Sequence, residues 1–144
     1  MTAEGGNQTI IHASTVALSG RGVLILGASG AGKSGLALQL MGYGCDLVSD
    51  DRTALAARDG VVLATAPETI RGLIEAWGVG ILAAEPSVAA RIVLAVDMGL
   101  VEAERLPPWR VHTVLGVELP LLHRVESAHF PAAIVQYLKA GRVE

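Results

Sequence analysis

The feature that most constrains this chain is the sequence GASGAGKS at residues 27–34, which has the form G-x-x-x-x-G-K-S of a phosphate-binding P-loop. An apolar run at residues 23–26 comes directly before it, and apolar residues recur at helical spacing after it. The motif requires this order of strand, loop and helix. The sequence therefore predicts an α/β fold in which the loop joins a buried strand to a helix.

The eight residues of this loop are the candidate nucleotide-binding residues: Gly27, Ala28, Ser29, Gly30, Ala31, Gly32, Lys33 and Ser34. Glycine is needed where the backbone takes a positive φ or where a Cβ would block a phosphate. Lys33 would reach the β- and γ-phosphates, Ser34 would coordinate Mg²⁺, and the N-terminus of the following helix adds partial positive charge. The predicted ligand is a nucleoside triphosphate with Mg²⁺.

Length and composition predict one domain. The chain has 144 residues, enough to bury a core but too few for a nucleotide domain and a separate substrate domain. Hydrophobic residues make up 51% of it, yet no apolar stretch approaches the roughly 20 residues of a membrane helix. The first residues do not resemble a secretory signal. We therefore expect a flexible segment at residues 1–8 and a single P-loop domain at residues 9–144, in the cytoplasm and away from membranes.

Charge and residue types disfavour several other classes of function. The net charge is −3 without a run of Lys or Arg, which argues against nucleic acid as a partner. A GTPase needs an asparagine after the loop for its base-reading N-K-x-D element, and the sequence has only Asn7. The one cysteine, Cys45, is predicted to be a small buried residue. A small molecule or a protein remains as the substrate.

The apolar pattern predicts a mixed, β-rich sheet with few helices. Strands are expected at residues 9–18, 23–26, 46–49, 52–57, 61–65, 91–96, 111–115 and 117–119. Helices are expected at about residues 33–41 and 130–139. Residues 70–82 mix glycine with large apolar residues and are expected to form a loop with a short strand.

Two acidic sites could serve the phosphate-binding loop. Asp97 directly follows the most apolar predicted strand, as the acid of a Walker B strand does. Asp50 and Asp51 follow a shorter strand, but that strand comes directly after the helix of the loop. Two adjacent carboxylates could divide the work, one near the metal and one accepting a proton. Spacing alone leaves both sites open.

Six stretches between residues 12 and 120 form a more specific pattern than the loop alone. They are His12, residues 22–25 (GVLI), the 27–34 loop, residues 47–52 (LVSDDR), residues 73–81 (LIEAWGVGI) and residues 115–120 (LGVELP). Together they resemble the catalytic, C-terminal domain of the HPr kinase/phosphorylase family, whose signatures include L-L-E-x-R-G-L-G-I and L-G-V-x-x-P. The chain is similar to a short form of that family without the N-terminal domain. The resemblance implies the nucleotide-binding core that HPr kinase shares with ATP-dependent phosphoenolpyruvate carboxykinase.

The resemblance implies a hexameric kinase that uses ATP and Mg²⁺ to phosphorylate a serine of HPr, the small carrier protein of the bacterial sugar phosphotransferase system. Matched position by position, Asp50 is the catalytic acid/base, and Asp51 is its neighbouring carboxylate. His12 lies near the transferred phosphate. The candidate catalytic residues are thus Asp50, His12, Asp51 and Lys33, and the candidate metal ligands are Ser34, Glu75 and Asp51. Asp97 then lies at the end of a core strand.

Some positions depart from the family pattern. Trp77 occupies the position of the signature arginine, and Gly35 follows Ser34 where an acidic residue is usual. An arginine-rich segment is replaced by residues 123–130. An indole cannot supply the fixed charge of a guanidinium, so the family's second activity, phosphorolysis of phosphoserine, is doubtful. Two alternatives stay open: an ATP- or ADP-binding regulatory module with impaired catalysis, and a small-molecule kinase or NTPase that uses Asp97.

Overall fold

The computed structural model describes residues 7–144, in which β-strands are the main regular element. The strands are β1 (Gln8–Ile11), β2 (Ala13–Leu18), β3 (Arg21–Leu26), β4 (Asp46–Ser49), β5 (Thr53–Arg58), β6 (Val61–Thr65), β7 (Leu73–Ala76), β8 (Gly80–Ala83), β9 (Ala90–Val101), β10 (Arg110–Val114) and β11 (Val117–Arg124). The helices are α1 (Lys33–Gly42), α2 (Phe130–Ala140) and a short 3-10 helix (Glu68–Ile70). The prediction of a β-rich α/β fold with few helices is confirmed.

The main sheet is mixed and has the order β1-β5-β6-β9-β3-β2-β4, with β11 beside β9 and β10 beyond it. Both β3 and β11 run parallel to β9, whereas the other pairs are antiparallel. Leu26 pairs with Asp97, and Asp97 pairs with His123. The 27–34 loop therefore leaves the sheet at the edge where parallel strands run toward their carboxyl ends, the usual position of a ligand site in an α/β sheet.

Both faces of the central strands are buried. Val23 and Ile25 of β3 belong to the core cluster that packs against α1 and α2, whereas Leu24 belongs to the cluster on the opposite face. Side chains alternate between the faces of a strand, so a strand buried on both faces is a continuous apolar run. This explains why β3 and the first part of β9 could be predicted from the sequence. Among residues 7–144, no helix is long and apolar enough to cross a bilayer.

Strands β7 and β8 form a separate two-stranded hairpin that packs on α1 through Ile74. The sequence predicted a loop with a short strand here, because its glycines were interpreted as breaks. Instead Gly78, in the hairpin turn, and Gly80, the first residue of β8, take φ values of +83° and +139°, a backbone region that glycine enters without steric cost. Ile74 and Ala76 are buried while Leu73 and Glu75 are exposed, so one face of the hairpin contacts the core.

Three predicted strand boundaries were wrong by several residues, one of them that of the strand predicted at residues 117–119, which continues to Arg124 as β11. The strand predicted at residues 9–18 is divided at His12, because β1 pairs with β5 whereas β2 pairs with β3 and β4. The strand predicted to end before Asp97 continues to Val101, because β11 extends the pairing until Arg124 lies opposite Val101. In each case a partner strand, distant in sequence, determines where the strand ends.

The flexible segment predicted at residues 1–8 lies outside the described residues, apart from its last two. Of these, Gln8 already belongs to β1, where it is paired with Ala56 of β5. The prediction was therefore wrong for Gln8, because the backbone pairing with β5 reaches that residue.

Candidate functional site

The backbone of the 27–34 loop takes positive φ values at its glycines. Gly27, Gly30 and Gly32 take φ values of +146°, +85° and +95°, a region that favours glycine. At Gly27 there is also little room, because a Cβ would lie 3.0 Å from the Cβ of Ala31 and 3.3 Å from the Cβ of Met98. The three glycines of the loop are therefore required by the local backbone.

Helix α1 begins with unpaired backbone donors beside this loop. Its first intrahelical bond runs from the N–H of Leu36 to the carbonyl oxygen of Gly32, 3.0 Å away, and no side chain caps the helix. The N–H groups of Lys33, Ser34 and Gly35 thus have no acceptor within the helix. The first turn contains no acidic residue that would offset the partial positive charge of the helix end. This end of α1 is suited to an anion.

The Lys33 side chain lies over the loop. The residue is 5% exposed, and its Nζ donates to the carbonyl oxygens of Gly27, 2.8 Å away, and Ala28, 3.1 Å away. An ammonium group has three N–H donors. Two of them therefore hold the cation at the loop, and the third can be donated to an anion bound there.

Asp50 is buried and accepts hydrogen bonds on both carboxylate oxygens. Its Oδ1 accepts from Ser34 Oγ at 2.6 Å and from Ser14 Oγ at 2.9 Å, and its Oδ2 accepts from the N–H of Glu75 at 3.0 Å. The carboxylate therefore connects α1, β2 and β7. Because Ser34 donates its proton to Asp50, the oxygen lone pairs of Ser34 remain available to a cation.

Asp51 projects away from this network, although it is the next residue. It is exposed and has a φ of +67°, and the N–H of Arg52 donates to the Asp50 carbonyl oxygen at 2.7 Å. This is a γ-turn centred on Asp51, a strained geometry for a residue other than glycine. The Asp51 N–H donates to Ser14 Oγ at 3.0 Å. Ser14 therefore contacts both aspartates, a role that the sequence analysis missed because a serine within a strand carries no motif.

Two clefts meet beside Asp51. The loop cleft, of about 480 Å³, lies between the 27–34 loop with the start of α1 and the tip of the β7–β8 hairpin. The hairpin cleft, also about 480 Å³, lies between Asp50–Arg52 and the outer face of β7 and β8, beside Ile70. The residues that line both clefts are Ser29, Ser34, Asp51 and Glu75. A ligand in either cleft would thus face the same hydroxyl and carboxylate groups.

Most of the residues predicted for the site lie together. Gly30, Gly32 and Lys33 line the loop cleft, and Asp50 lines the hairpin cleft. Gly27, Ala28 and Ala31 line neither cleft, but Gly27 and Ala28 accept the bonds of the lysine.

Two other candidates lie outside both clefts. His12 is exposed in the bend between β1 and β2, and its role stays a prediction. Because Ile11 pairs with Thr53, the histidine lies at the same end of the sheet as Asp51. Asp97 is half-buried in β9, and its Oδ1 accepts from the N–H of Gly99 at 2.8 Å.

The residues at the junction of the clefts fit a hard cation that receives only a few of its coordinating oxygens from the protein. Among residues 7–144, no group of three or more His, Cys, Asp or Glu side chains is arranged to hold a metal ion by itself. The junction offers the hydroxyl of Ser34 and the carboxylates of Asp51 and Glu75. Mg²⁺ usually takes one or two protein ligands together with waters and substrate phosphates. This donor set fits Mg²⁺ bound to a phosphate ligand.

Known proteins share the sequence pattern over part of their length. HPr kinase/phosphorylase of Limosilactobacillus reuteri (strain DSM 20016) is 47% identical over 73 residues, which cover 50% of this chain and 23% of the relative. HPr kinase/phosphorylase of Brevibacillus brevis is 38% identical over 114 residues, which cover 76% of this chain and 36% of the relative. The chain thus matches about a quarter to a third of the length of these curated relatives.

A solved structure shares the fold, and a family model matches most of the site. The Hpr(Ser) kinase/phosphatase from Coxiella burnetii superposes with a TM-score of 0.74 at 24% identity, over 91% of this chain and 88% of that chain. The family model described as HPr Serine kinase C-terminal domain matches residues 4–97, which include the 27–34 loop, Asp50, Asp51 and Glu75. This match confirms the resemblance found in the sequence, and the chain belongs to the family of HPr serine kinase C-terminal domains.

Proposed function

We propose that this chain is an ATP- and Mg²⁺-dependent kinase that transfers a phosphoryl group to a serine of an HPr-type carrier protein. The observation that carries the proposal is the junction of two clefts at Ser34, Asp51 and Glu75. A transferase must hold a donor and an acceptor on either side of one reacting point. Membership of the HPr serine kinase family supports a protein serine as the acceptor.

The loop cleft suits the phosphate donor. The backbone N–H groups at the start of α1 and the Lys33 ammonium would bind the phosphates of ATP and offset the charge that moves during transfer. When bound, Mg²⁺ would be held by Ser34 with Asp51 and Glu75 nearby, and it would neutralise charge on the phosphate oxygens. The bond from Ser34 to Asp50 supports this role, because it directs the hydroxyl proton away from a cation.

The hydrogen bonds favour a different division of labour between the aspartates from the one predicted. Asp50, expected to be the catalytic base, is buried and has both oxygens engaged. Asp51 is exposed and lines both clefts. We therefore assign the base to Asp51: its carboxylate accepts the proton of the acceptor serine while that oxygen bonds to the γ-phosphorus and the bond to ADP breaks. Asp50 holds Ser34 and the turn at Asp51 in position.

Labelling of a serine tests this assignment. Radiolabelled γ-phosphate of ATP should appear on a serine of HPr, and Lys33→Ala and Asp51→Asn should abolish the label. Asp97→Asn, which removes the same charge outside the clefts, should label HPr at nearly the unmodified rate. If Asp97→Asn abolishes turnover while Asp51→Asn retains it, the assignment is wrong, and the small-molecule kinase or NTPase that uses Asp97 replaces it.

A second candidate is a regulatory module that binds ATP or ADP without transferring phosphate. It is favoured by the neutral residues Trp77 and Gly35 in the loop cleft. Among the described residues, Lys33 is the one cation that lines the loop cleft and Arg52 the one that lines the hairpin cleft, whereas Trp77 stands where the family signature has an arginine. We therefore propose that the reverse reaction is weak or absent. Tight ATP binding without label on any HPr would establish the regulatory alternative.

We also propose that copies of the chain associate, as the resemblance to hexameric kinases implies. Apolar side chains on β1 and β6 support self-association: Ile10 and Leu63 are 59% and 43% exposed and line a groove of about 600 Å³. Exposed apolar patches of this kind commonly mark interfaces. Light scattering should give a multiple of the 14.9 kDa chain mass, and a monomer at all concentrations would contradict this proposal.

A further inference from the structure

Trp77 is an exposed aromatic residue at the tip of the β7–β8 hairpin. It is 97% exposed, and Val79 beside it is 74% exposed. The tip is fixed to the core, because Ala76 is 6% exposed and its carbonyl oxygen accepts from the N–H of Val79 at 2.9 Å. Indole side chains are on average highly buried. An indole held in solvent next to a cleft is therefore available to a ligand.

Only one end of the loop cleft opens into the hairpin cleft. One end is shared with the hairpin cleft at Ser29, Ser34, Asp51 and Glu75, and this is the proposed reacting point. The unshared lining consists of the loop residues Gly30, Gly32 and Lys33 and, at the other end of the cleft, of Gly35, Leu38, Ala76, Trp77 and Val79. A nucleotide whose terminal phosphate reaches the junction must have its base toward this unshared end.

The unshared end is chemically suited to a flat, uncharged ring. Its side chains are apolar, and the indole N–H of Trp77 is their one hydrogen-bonding group. A cleft of about 480 Å³ is within the usual size of a small-ligand site, roughly 300–1,000 Å³. Stacking on an aromatic ring depends weakly on which base is bound, because every base has a π-face.

We infer that Trp77 stacks on the base of a nucleoside triphosphate, with Val79 and Leu38 completing an apolar slot. The slot favours purines over pyrimidines, because a larger ring system makes more contact. It distinguishes adenine poorly from guanine, because few groups can read their polar edges. The inference rests on the proposed binding of triphosphate to the loop.

Binding measurements with four ligands test the inference: ATP, GTP, CTP and inorganic tripolyphosphate, each with Mg²⁺ and followed by calorimetry. ATP and GTP should bind within about 3-fold of each other, since apolar contacts discriminate weakly between similar ligands. Trp77→Ala should weaken ATP and GTP by at least about 5-fold and leave tripolyphosphate unchanged, and Trp77→Phe should restore part of the loss. Trp109→Ala is the matched control, because Trp109 is 60% exposed and lines neither cleft.

Indole fluorescence supplies a second readout. A quench of emission by ATP should be lost in Trp77→Ala and kept in Trp109→Ala. The inference is overturned if Trp77→Ala binds ATP unchanged, if it loses tripolyphosphate affinity equally, or if the unmodified chain binds ATP more than about 10-fold tighter than GTP. If the unmodified chain binds neither ATP nor tripolyphosphate, the proposed function itself fails.

Discussion

Replacement of Asp50 by Asn is expected to reverse the direction of two hydrogen bonds without removing them. The amide keeps the shape of the carboxylate but has one acceptor oxygen and one NH₂ donor group. The N–H of Glu75 can only donate, so the amide oxygen must face Glu75, and the NH₂ group must face Ser14 and Ser34. Both hydroxyls then accept, and the Ser34 oxygen loses a lone pair that a cation could use.

The structure allows the magnitudes to be worked out. Three hydrogen bonds to a carboxylate become neutral ones, a loss of about 0.5–2 kcal/mol each. The variant also avoids the cost of burying a charge, several kcal/mol per ion, which offsets most of that loss. The free energy of unfolding should therefore change by less than about 2 kcal/mol, or about 4–8 °C in Tm. Residues that position a metal ligand typically change metal affinity by about 10–100-fold when replaced.

A titration with Mg²⁺ measures this effect. ATP binding to Asp50→Asn should require about 10–100-fold more Mg²⁺ than binding to the unmodified chain, and thermal unfolding should show a folded protein. The control is Asp97→Asn, which removes the same charge from a residue bonded to the Gly99 N–H and should leave the Mg²⁺ dependence unchanged. The reasoning is refuted if Asp50→Asn has the unmodified Mg²⁺ dependence, or if Asp97→Asn shows the shift instead.

Three further outcomes follow from single contacts. Ser14→Ala should lower kcat with little change in the KM for ATP, because the variant loses the hydrogen bonds to the Asp50 carboxylate and from the Asp51 N–H. The control is Thr15→Val, which removes a buried hydrogen bond to Thr53 and should lower only the stability of the fold. Equal kinetics in the two variants would contradict this prediction. Gly27→Ala should destabilise the fold by at least about 2 kcal/mol in urea unfolding, because its φ is +146° and a Cβ would meet Ala31. Burial and the Asp46 carboxylate raise the pKa of the Cys45 thiol, and the residue is only 5% exposed. A thiol reagent at neutral pH should therefore modify the native chain far more slowly than the unfolded chain. Equal rates of modification in the native and unfolded chains would exclude a buried thiol.

Parts of the fold that depend on local signals were predictable. The strand, loop and helix around residues 27–34 agree with the prediction, because each has its own pattern. The β5–β6 hairpin was also predicted, from Asp59 and Gly60 in its turn, which take φ values of +54° and +74°. The β7–β8 hairpin was missed because glycine within a strand usually weakens it, whereas here Gly78 lies in the turn and Gly80 is only the first residue of β8.

The sequence indicated residue types that the structure brings together, whereas the division of roles that we propose rests on contacts that the sequence could not indicate. Adjacent aspartates after β4 indicated two carboxylates near the loop, and the structure brings both to the clefts. The roles proposed for them rest on contacts with Ser14 of β2 and the N–H of Glu75 in β7, which lie 36 and 25 positions away from Asp50. No local pattern specifies such partners, because they are determined by how strands pair across the sheet.

The γ-turn at Asp51 explains how two neighbouring carboxylates can serve different purposes. The turn gives Asp51 a φ of +67° and leaves its carboxylate exposed at both clefts, while Asp50 remains buried. A backbone of this kind costs about 1–3 kcal/mol and persists only where surrounding contacts hold it. Here Ser14 supplies such a contact, because one hydroxyl donates to the buried carboxylate and accepts from the N–H of the strained residue. The strain and the buried network are thus parts of one arrangement, in which the serine that orients Asp50 also keeps the Asp51 carboxylate at the point where the clefts meet.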